Sequence, residues 1–324
     1  MATHLDEATR IAHGQRNRAQ TLILLAGIGL LLALPTWLIW GLPGLLVAAA
    51  MAGIASVGAR GIPPETVMRM YRARLVQGDA TPLGRITAEL ARRAELPAVP
   101  ALYIVPSLTL NAFATGSRRR AAIAITEGLL RRLETREVAA VLAHEVSHIA
   151  NNDTFVMGLA DVVTRMTQAM SYAAAVLLAV NVAGLLFYGE ASISWLAILI
   201  LYLAPMLSSL LQLALSRTRE YDADLEAAML TGDPSWLASA LGKLEQSNGT
   251  FWEDLTFPVP GRRIPAPSVL RSHPTTTDRI RRLTALDRRL ASAPILVPAG
   301  PTMSLIGVGP STLHPRYRFP GLWY

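Results

Sequence analysis

The stretch Ala143-His144-Glu145-Val146-Ser147-His148-Ile149 decides how the rest of the chain is read. On an α-helix, two histidines four residues apart lie one turn apart on the same face. Two imidazoles so placed can bind one zinc ion through nitrogen at about 2.0–2.1 Å. Glu145 follows the first histidine, where a general base for metal-assisted hydrolysis is needed. Leu142, Val146 and Ile149 supply apolar positions, and Thr135 reads as the cap of a helix starting at Arg136. The chain has only 6 histidines in 324 residues, so chance seldom produces this spacing. The competing reading is an ordinary amphipathic helix without metal, and the surrounding sequence must discriminate.

Composition narrows the setting. Hydrophobic residues make up 52% and charged residues 16% of the chain, and the mean hydropathy is +0.35. This is the balance of a membrane protein with a modest water-facing part. There is no cysteine, which excludes disulfide frameworks, cysteine nucleophiles and thiolate zinc sites. The net charge is +7 and the pI about 10.2, so nucleic acid has to be considered. The positive charge is almost all arginine, set beside apolar segments with no interleaved aromatic stripe. That pattern fits membrane flanks, not nucleic acid.

The apolar segments form two groups. Residues 21–59 make a run of about 39 residues, and a helix crossing needs about 20, so this run reads as two spans around a tight turn at Trp40–Pro43. A cleaved signal peptide does not fit so long a run. Residues 171–188 and 191–215 form a second apolar pair, broken at Gly189-Glu190. This pair reads as spanning, with a buried, re-entrant or interfacial hairpin as the alternative. Arginines flank the outer ends of both pairs, and neither turn carries one. By the positive-inside rule, the termini and the water-facing parts are cytoplasmic.

Between the pairs, a helix is expected from Pro63-Pro64 through Met68, Tyr71 and Leu75, and another from Thr81-Pro82. Short strands are expected at 101–105, 111–116 and 121–126, the last two around the basic turn Arg118-Arg119-Arg120. A helix at 127–133 precedes the histidine helix, and Asn151-Asn152-Asp153 ends or bends that helix. Beyond residue 216, Asp233-Pro234 opens a helix. Residues 248–270 read as a Gly/Pro-rich loop, 275–290 as an Arg-rich helix and 291–324 as a Pro-rich tail. The fold class is therefore mainly α with a small β-sheet (α+β), with two hydrophobic helical hairpins and a cytoplasmic zinc-binding catalytic domain. The divisions are 1–60, 61–165, 166–216, 217–290 and 291–324.

Two histidines leave tetrahedral zinc short of a protein ligand. Without cysteine, that ligand is histidine, glutamate or aspartate. In Arg219-Glu220-Tyr221-Asp222-Ala223-Asp224, Glu220 and Asp224 share one helical face. Glu220 suits the third ligand, and Asp224 suits a partner for the outer nitrogen of a ligand histidine. From spacing alone, a solvated acidic turn paired with Arg217 and Arg219 is an equal reading.

These motifs, together with Asn111-Ala112-Phe113-Ala114-Thr115-Gly116, Asp153, Ser272-His273-Pro274 and Arg279-Ile280, occur in the order found in a known family. Over residues 60–285 the chain resembles the HtpX membrane zinc endopeptidases, relatives of the prenyl-protein proteases. The resemblance implies one zinc ion per chain, held by His144, His148 and Glu220. It implies Glu145 as general base and Asp224 as partner of a ligand histidine. It further implies a bacterial inner-membrane protease that degrades misfolded membrane proteins. The stretch Asn111, Ala112, Phe113, Ala114 resembles a segment at the edge of the substrate cleft, where an extended peptide could pair; a purely structural strand is the alternative. His273 is read either as an oxyanion stabiliser or as a capping and packing residue before Pro274. The loop Ser117-Arg118-Arg119-Arg120 lacks the proline frequent in the family, and the tail after 290 is longer than the family core. A catalytically silent membrane scaffold is the alternative function. A transporter is disfavoured, because the apolar cores carry almost no ionisable residues. Substrate preference and oligomeric state are not encoded in these patterns.

Overall fold

A computed structural model of the chain describes residues 2–58, 63–76, 81–191, 193–253, 276–286, 295 and 297. In chain order its elements are α1 (Ala2–Gly58), α2 (Pro64–Met70), β1 (Arg74–Leu75), α3 (Pro82–Arg93), β2 (Ala101–Val105), β3 (Ala112–Ser117) and β4 (Arg120–Thr126). They continue with α4 (Glu127–Arg132), α5 (Thr135–Ala150), α6 (Asp153–Tyr188), α7 (Trp195–Thr231), α8 (Pro234–Glu253) and α9 (Thr276–Ala285). The chain forms two compact units: residues 1–61 with 155–218, and residues 62–154 with 219–324.

The first unit holds the apolar segments. Helix α1 breaks at Gly41, whose φ of 60° and ψ of −138° only glycine adopts readily. The chain reverses there. A Cβ added at Gly44 would lie 2.2 Å from the Thr36 carbonyl oxygen, whereas eight residues of continuous helix rise about 12 Å. The expected turn at Trp40–Pro43 is thus present. The second hairpin closes through Asn181. Its buried side-chain amide donates to the Ile193 carbonyl (2.8 Å) and accepts from the Ile193 N–H (2.9 Å). Within the hairpin, Thr164 bonds Ser208 (2.9 Å) and Gln212 (3.2 Å). Leu32, Ala160, Val163 and Leu215 form a small buried cluster. By length and composition, Ala19–Ile54 (interrupted at Gly41), Asp153–Tyr188 and Trp195–Thr231 can each cross a membrane. Their outward faces are apolar: Ile23, Leu186 and Phe187 are 70%, 75% and 81% exposed. A surface of this kind suits lipid and not water.

The second unit is built on a four-stranded sheet of order β1-β2-β4-β3. Strands β2 and β4 run parallel, with Leu102 opposite Ile123 and Ile104 opposite Ile125. The outer strands are antiparallel to their neighbours. Alternation along the strands separates two apolar layers. Leu102, Ile104, Ile123 and Ile125 join Leu83 and Leu90 of α3, Leu142 and Val146 of α5 and Leu237 of α8 in the main core. Val105, Ala122 and Ala124 pack on the other face with Met68 of α2.

The expected strands and the helices at 82, 127 and 234 are all present, and the histidine helix ends at Asn151 as expected. Three readings need correction. Helix α2 stops at Met70 and does not reach Leu75; Arg72 has a positive φ of 51°, and Leu75 lies in β1. Helix α5 is capped by Glu134, not Thr135, because Glu134 and Glu137 form a reciprocal capping box. Helix α8 extends to Glu253, inside the expected 248–270 loop. The remainder of that loop, His273 and the tail, apart from residues 295 and 297, lie outside the described residues.

Candidate metal centre

Helix α5 is held at its start and along its length. At its start, the Glu134 N–H donates to Glu137 Oε2 at 2.7 Å. Glu137 also accepts from Ser239 (2.6 Å) and Lys243 (2.8 Å) of α8. Along its length, Val138, Leu142, Val146 and Ile149 are buried in the core. Packing therefore fixes the rotation of the helix, and with it the direction of the histidine face.

On that face the His144 and His148 rings meet edge to face, with centroids 4.6 Å apart. Their Nε2 atoms are 3.1 Å apart. From α7, Glu220 brings Oε2 to 3.4 Å from His144 Nε2 and Oε1 to 3.7 Å from His148 Nε2. These three residues could hold a metal ion. The fit is close: bonds of about 2.0–2.1 Å at tetrahedral angles separate ligand atoms by about 3.3 Å.

Each histidine has a carboxylate on its other ring nitrogen. His148 Nδ1 lies 2.8 Å from Asp153 Oδ2, and His144 Nδ1 lies 3.1 Å from Asp224 Oδ1. An ionised carboxylate only accepts, so His148 Nδ1 carries a proton and donates to Asp153, and His144 Nδ1 turns its proton toward Asp224 in an ion-pair contact without an aligned hydrogen bond. The two Nε2 lone pairs then face each other across 3.1 Å, an arrangement that favours a cation between them. Burial, the largest influence, pushes both imidazoles toward the neutral form. The carboxylates outweigh it, Asp224 and Glu220 at His144 and Asp153 at His148, and both histidines are raised above their ordinary value.

Two arginines complete the cluster. Arg279 of α9 donates to Asp224 through Nε (2.7 Å) and Nη2 (2.6 Å), and its Nη1 lies 3.2 Å from Glu220 Oε2. Arg279 thus forms ion pairs with both Asp224 and Glu220. Arg219 donates to Asp153 and both side chains are buried. Glu145 is half-buried beside His144; against burial, Asp224 above all, then Glu220 and Glu145, hold Arg279 above its ordinary value. The carboxylates of Glu145, Asp153, Glu220 and Asp224 thus outnumber two guanidiniums by the charge of one divalent ion.

The structure brings together His144, Glu145, His148, Glu220 and Asp224. Ala112, Phe113 and Ala114 lie on β3, an edge strand, with Asn111 just before it; Ala112 and Ala114 pack toward the main core. Sequence reasoning misses the tasks of two residues, Asp153 and Arg219. Spacing pairs Arg219 with the acidic turn beside it, but its partner Asp153 lies 66 residues away.

A sequence profile described as peptidase family M48 matches residues 78–287. A protease HtpX homolog of Acaryochloris marina is 37% identical over 298 residues, covering 86% of this chain and 97% of that protein. Protease HtpX of Legionella pneumophila (strain Philadelphia 1) is 33% identical over 284 residues, covering 83% of this chain and 99% of that protein. A protease HtpX homolog of Pyrococcus furiosus is 38% identical over 277 residues, covering 80% of this chain and 90% of that protein. The profile match, the near-complete coverage of these relatives and the largely buried His/His/Glu cluster agree: the chain belongs to peptidase family M48, in the HtpX family of metallopeptidases.

Proposed function

We propose that the protein is a membrane-embedded zinc endopeptidase whose metal is held by His144, His148 and Glu220, with Glu145 as general base. The observation that carries this reading is the convergence of His144 Nε2, His148 Nε2 and the Glu220 carboxylate, with nearest approaches of 3.1, 3.4 and 3.7 Å, and Glu145 next to His144. Two imidazoles and a carboxylate with one position open favour zinc. When bound there, zinc supplies Lewis acidity, lowering the pKa of a water to about 7 and polarising the scissile carbonyl.

The chain's own groups do the rest. Asp153 and Asp224 keep the protons of His148 and His144 on Nδ1 and so present Nε2 inward. Glu145 takes the proton of the attacking water and returns it to the leaving amine, with no covalent intermediate on the protein. His273, outside the described residues, stands as an oxyanion stabiliser or as a capping and packing residue before Pro274. Strand β3, at the sheet edge among the described residues, is the place for an extended substrate to pair, which gives affinity with little sequence selectivity. The substrates are membrane proteins or their cytoplasmic segments, misfolded ones above all. The catalytic unit faces the cytoplasm from a bacterial inner membrane, as the arginine flanks of the apolar segments support.

Replacing Glu145 with Ala tests the mechanism. Removal of a general base lowers the rate about 10²–10⁴-fold, while zinc content stays that of the wild type. Equal cleavage of a membrane substrate by the zinc-loaded variant and wild type would overturn the assignment.

A further inference from the structure

One member of a buried ion pair, Arg219, has no task in this mechanism. Asp153 and Arg219 are buried to 4% and 7% side-chain exposure. A buried ion pair is weak grounds for stability, because desolvation offsets its attraction. Yet the second carboxylate oxygen of Asp153 meets His148 Nδ1 at 2.8 Å. The three residues form a line: Arg219, Asp153, His148.

We propose that Asp153, locked by Arg219, is the positioning residue for His148 and thereby sets the metal affinity of the site. This rests on the reading of His144, His148 and Glu220 as a zinc site. The Asp153 contact fixes the Nδ1–H tautomer and the ring orientation together, leaving Nε2 directed at His144 and Glu220. The matching contact at His144 is looser: Asp224 spends both oxygens on Arg279, and His144 Nδ1 makes an ion-pair contact at 3.1 Å without an aligned hydrogen bond.

Chain order gives the pair a second role. Asp153 opens α6, and the chain leaves the catalytic unit after Thr154. It returns at Arg219, and the next residue is Glu220. The Asp153–Arg219 pair therefore closes the base of the 155–218 excursion. One contact fixes where the second histidine points and where the helix bearing the third ligand re-enters.

The test uses the full chain in detergent and Zn²⁺ alone, with affinity measured by chelator competition. The variants are Asp153→Asn, Arg219→Gln, the double variant and Arg219→Lys. The amide in Asp153→Asn keeps the size and one acceptor oxygen, so the expected weakening of zinc binding is about 10–100-fold, the range for loss of an outer partner of a ligand histidine. Arg219→Gln weakens it less, and the double variant is no weaker than Asp153→Asn, because both act on one ring. The Co²⁺-substituted visible spectrum shifts in Asp153→Asn, a signature that loss of fold stability alone does not produce. Should Asp153→Asn fail to fold, Arg219→Lys carries the test. It keeps the charge but loses the planar fork, and its zinc affinity falls by a smaller factor. Wild-type affinity and an unchanged cobalt spectrum in folded variants would overturn the proposal while leaving the zinc site intact. A wild-type chain that binds no zinc would overturn both.

Discussion

At the scale of single residues, two glutamates of the centre are proposed for different tasks, and their variants should separate them. Among the described residues no hydrogen bond or ion pair joins the Glu145 carboxylate to either histidine, while Glu220 lies 3.4 and 3.7 Å from their Nε2 atoms. On the proposed reading, Glu220→Ala removes a ligand. Its zinc affinity should fall by more than the roughly 10–100-fold that follows loss of an outer partner, and activity with it. Glu145→Ala should keep its metal and lose its rate. Metal analysis after desalting distinguishes the two; equal zinc content in wild type and Glu220→Ala would remove Glu220 from the site. The two glutamates are unequally legible in the sequence. His144, Glu145 and His148 are neighbours on one helical turn, so a local period reveals them. Glu220 and Asp224 share a face, but spacing cannot say what that face meets, and an acidic turn paired with arginines reads equally well. The motif order of the family, not the spacing, singles them out. The Arg219–Asp153 pair has no local signal at all, since only tertiary packing joins residues 66 positions apart.

At the scale of elements, the histidine helix depends on how its first turn is held. Thr135 looks like the better cap by residue type. Glu134 takes the position because Glu137, three residues on, answers it and is itself anchored by Ser239 and Lys243 of α8. A preference for serine or threonine at caps is thus overridden by a partner on another helix, which sequence alone does not display. Glu137→Gln keeps a side chain for the capping contact and loses the charge-assisted bond to Lys243. The expected cost is about 1–2 kcal/mol, read as a fall in unfolding midpoint of about 2–4 °C per kcal/mol. The pH dependence has a fixed sign. Burial acts to raise the Glu137 carboxyl, but Lys243, Ser239 and the Glu134 N–H outweigh it and hold it below the usual carboxylate range. Its stabilisation is therefore present above the unfolded value near pH 4.3 and is lost as pH falls through the lower folded value. The gap between wild type and Glu137→Gln should narrow below about pH 4. A gap that widens there would show that the charge of Glu137 is not what holds the helix. The strands are more legible than the cap, because β2 and β4 carry unbroken apolar runs and β3 and β4 flank a short basic turn.

At the scale of the whole molecule, the order of the ligands along the chain carries a consequence for assembly. His144 and His148 precede the 155–218 excursion, and Glu220 follows it. Helix α7 runs unbroken from Trp195 to Thr231, so the turn bearing Glu220 continues a helix that begins in the apolar unit. If residues 155–218 only anchored the protein, replacing them with a short flexible linker would be harmless. The Asp153–Arg219 contact shows that the ends to be joined are close, and loop closure depends weakly on length, about 0.6 kcal/mol per doubling. Tethering alone would therefore be cheap. What the linker cannot supply is the helix upstream of Glu220. Residues 219–231 would stand as a helix of about 13 residues, near the length at which isolated helices are marginal, with Glu220 in its frayed first turn. The pairing of α6 with α7 through Thr164, Ser208 and Gln212 would also be gone. The bridged chain should bind zinc at least about tenfold more weakly than the full chain. It should also cleave an unstructured soluble peptide more slowly, although such a substrate needs no membrane. Zinc competition and peptide cleavage, measured side by side, check both. Wild-type affinity and rate in the bridged chain would reduce the apolar unit to an anchor; loss of both would make folding of the membrane unit a condition for completing the metal site.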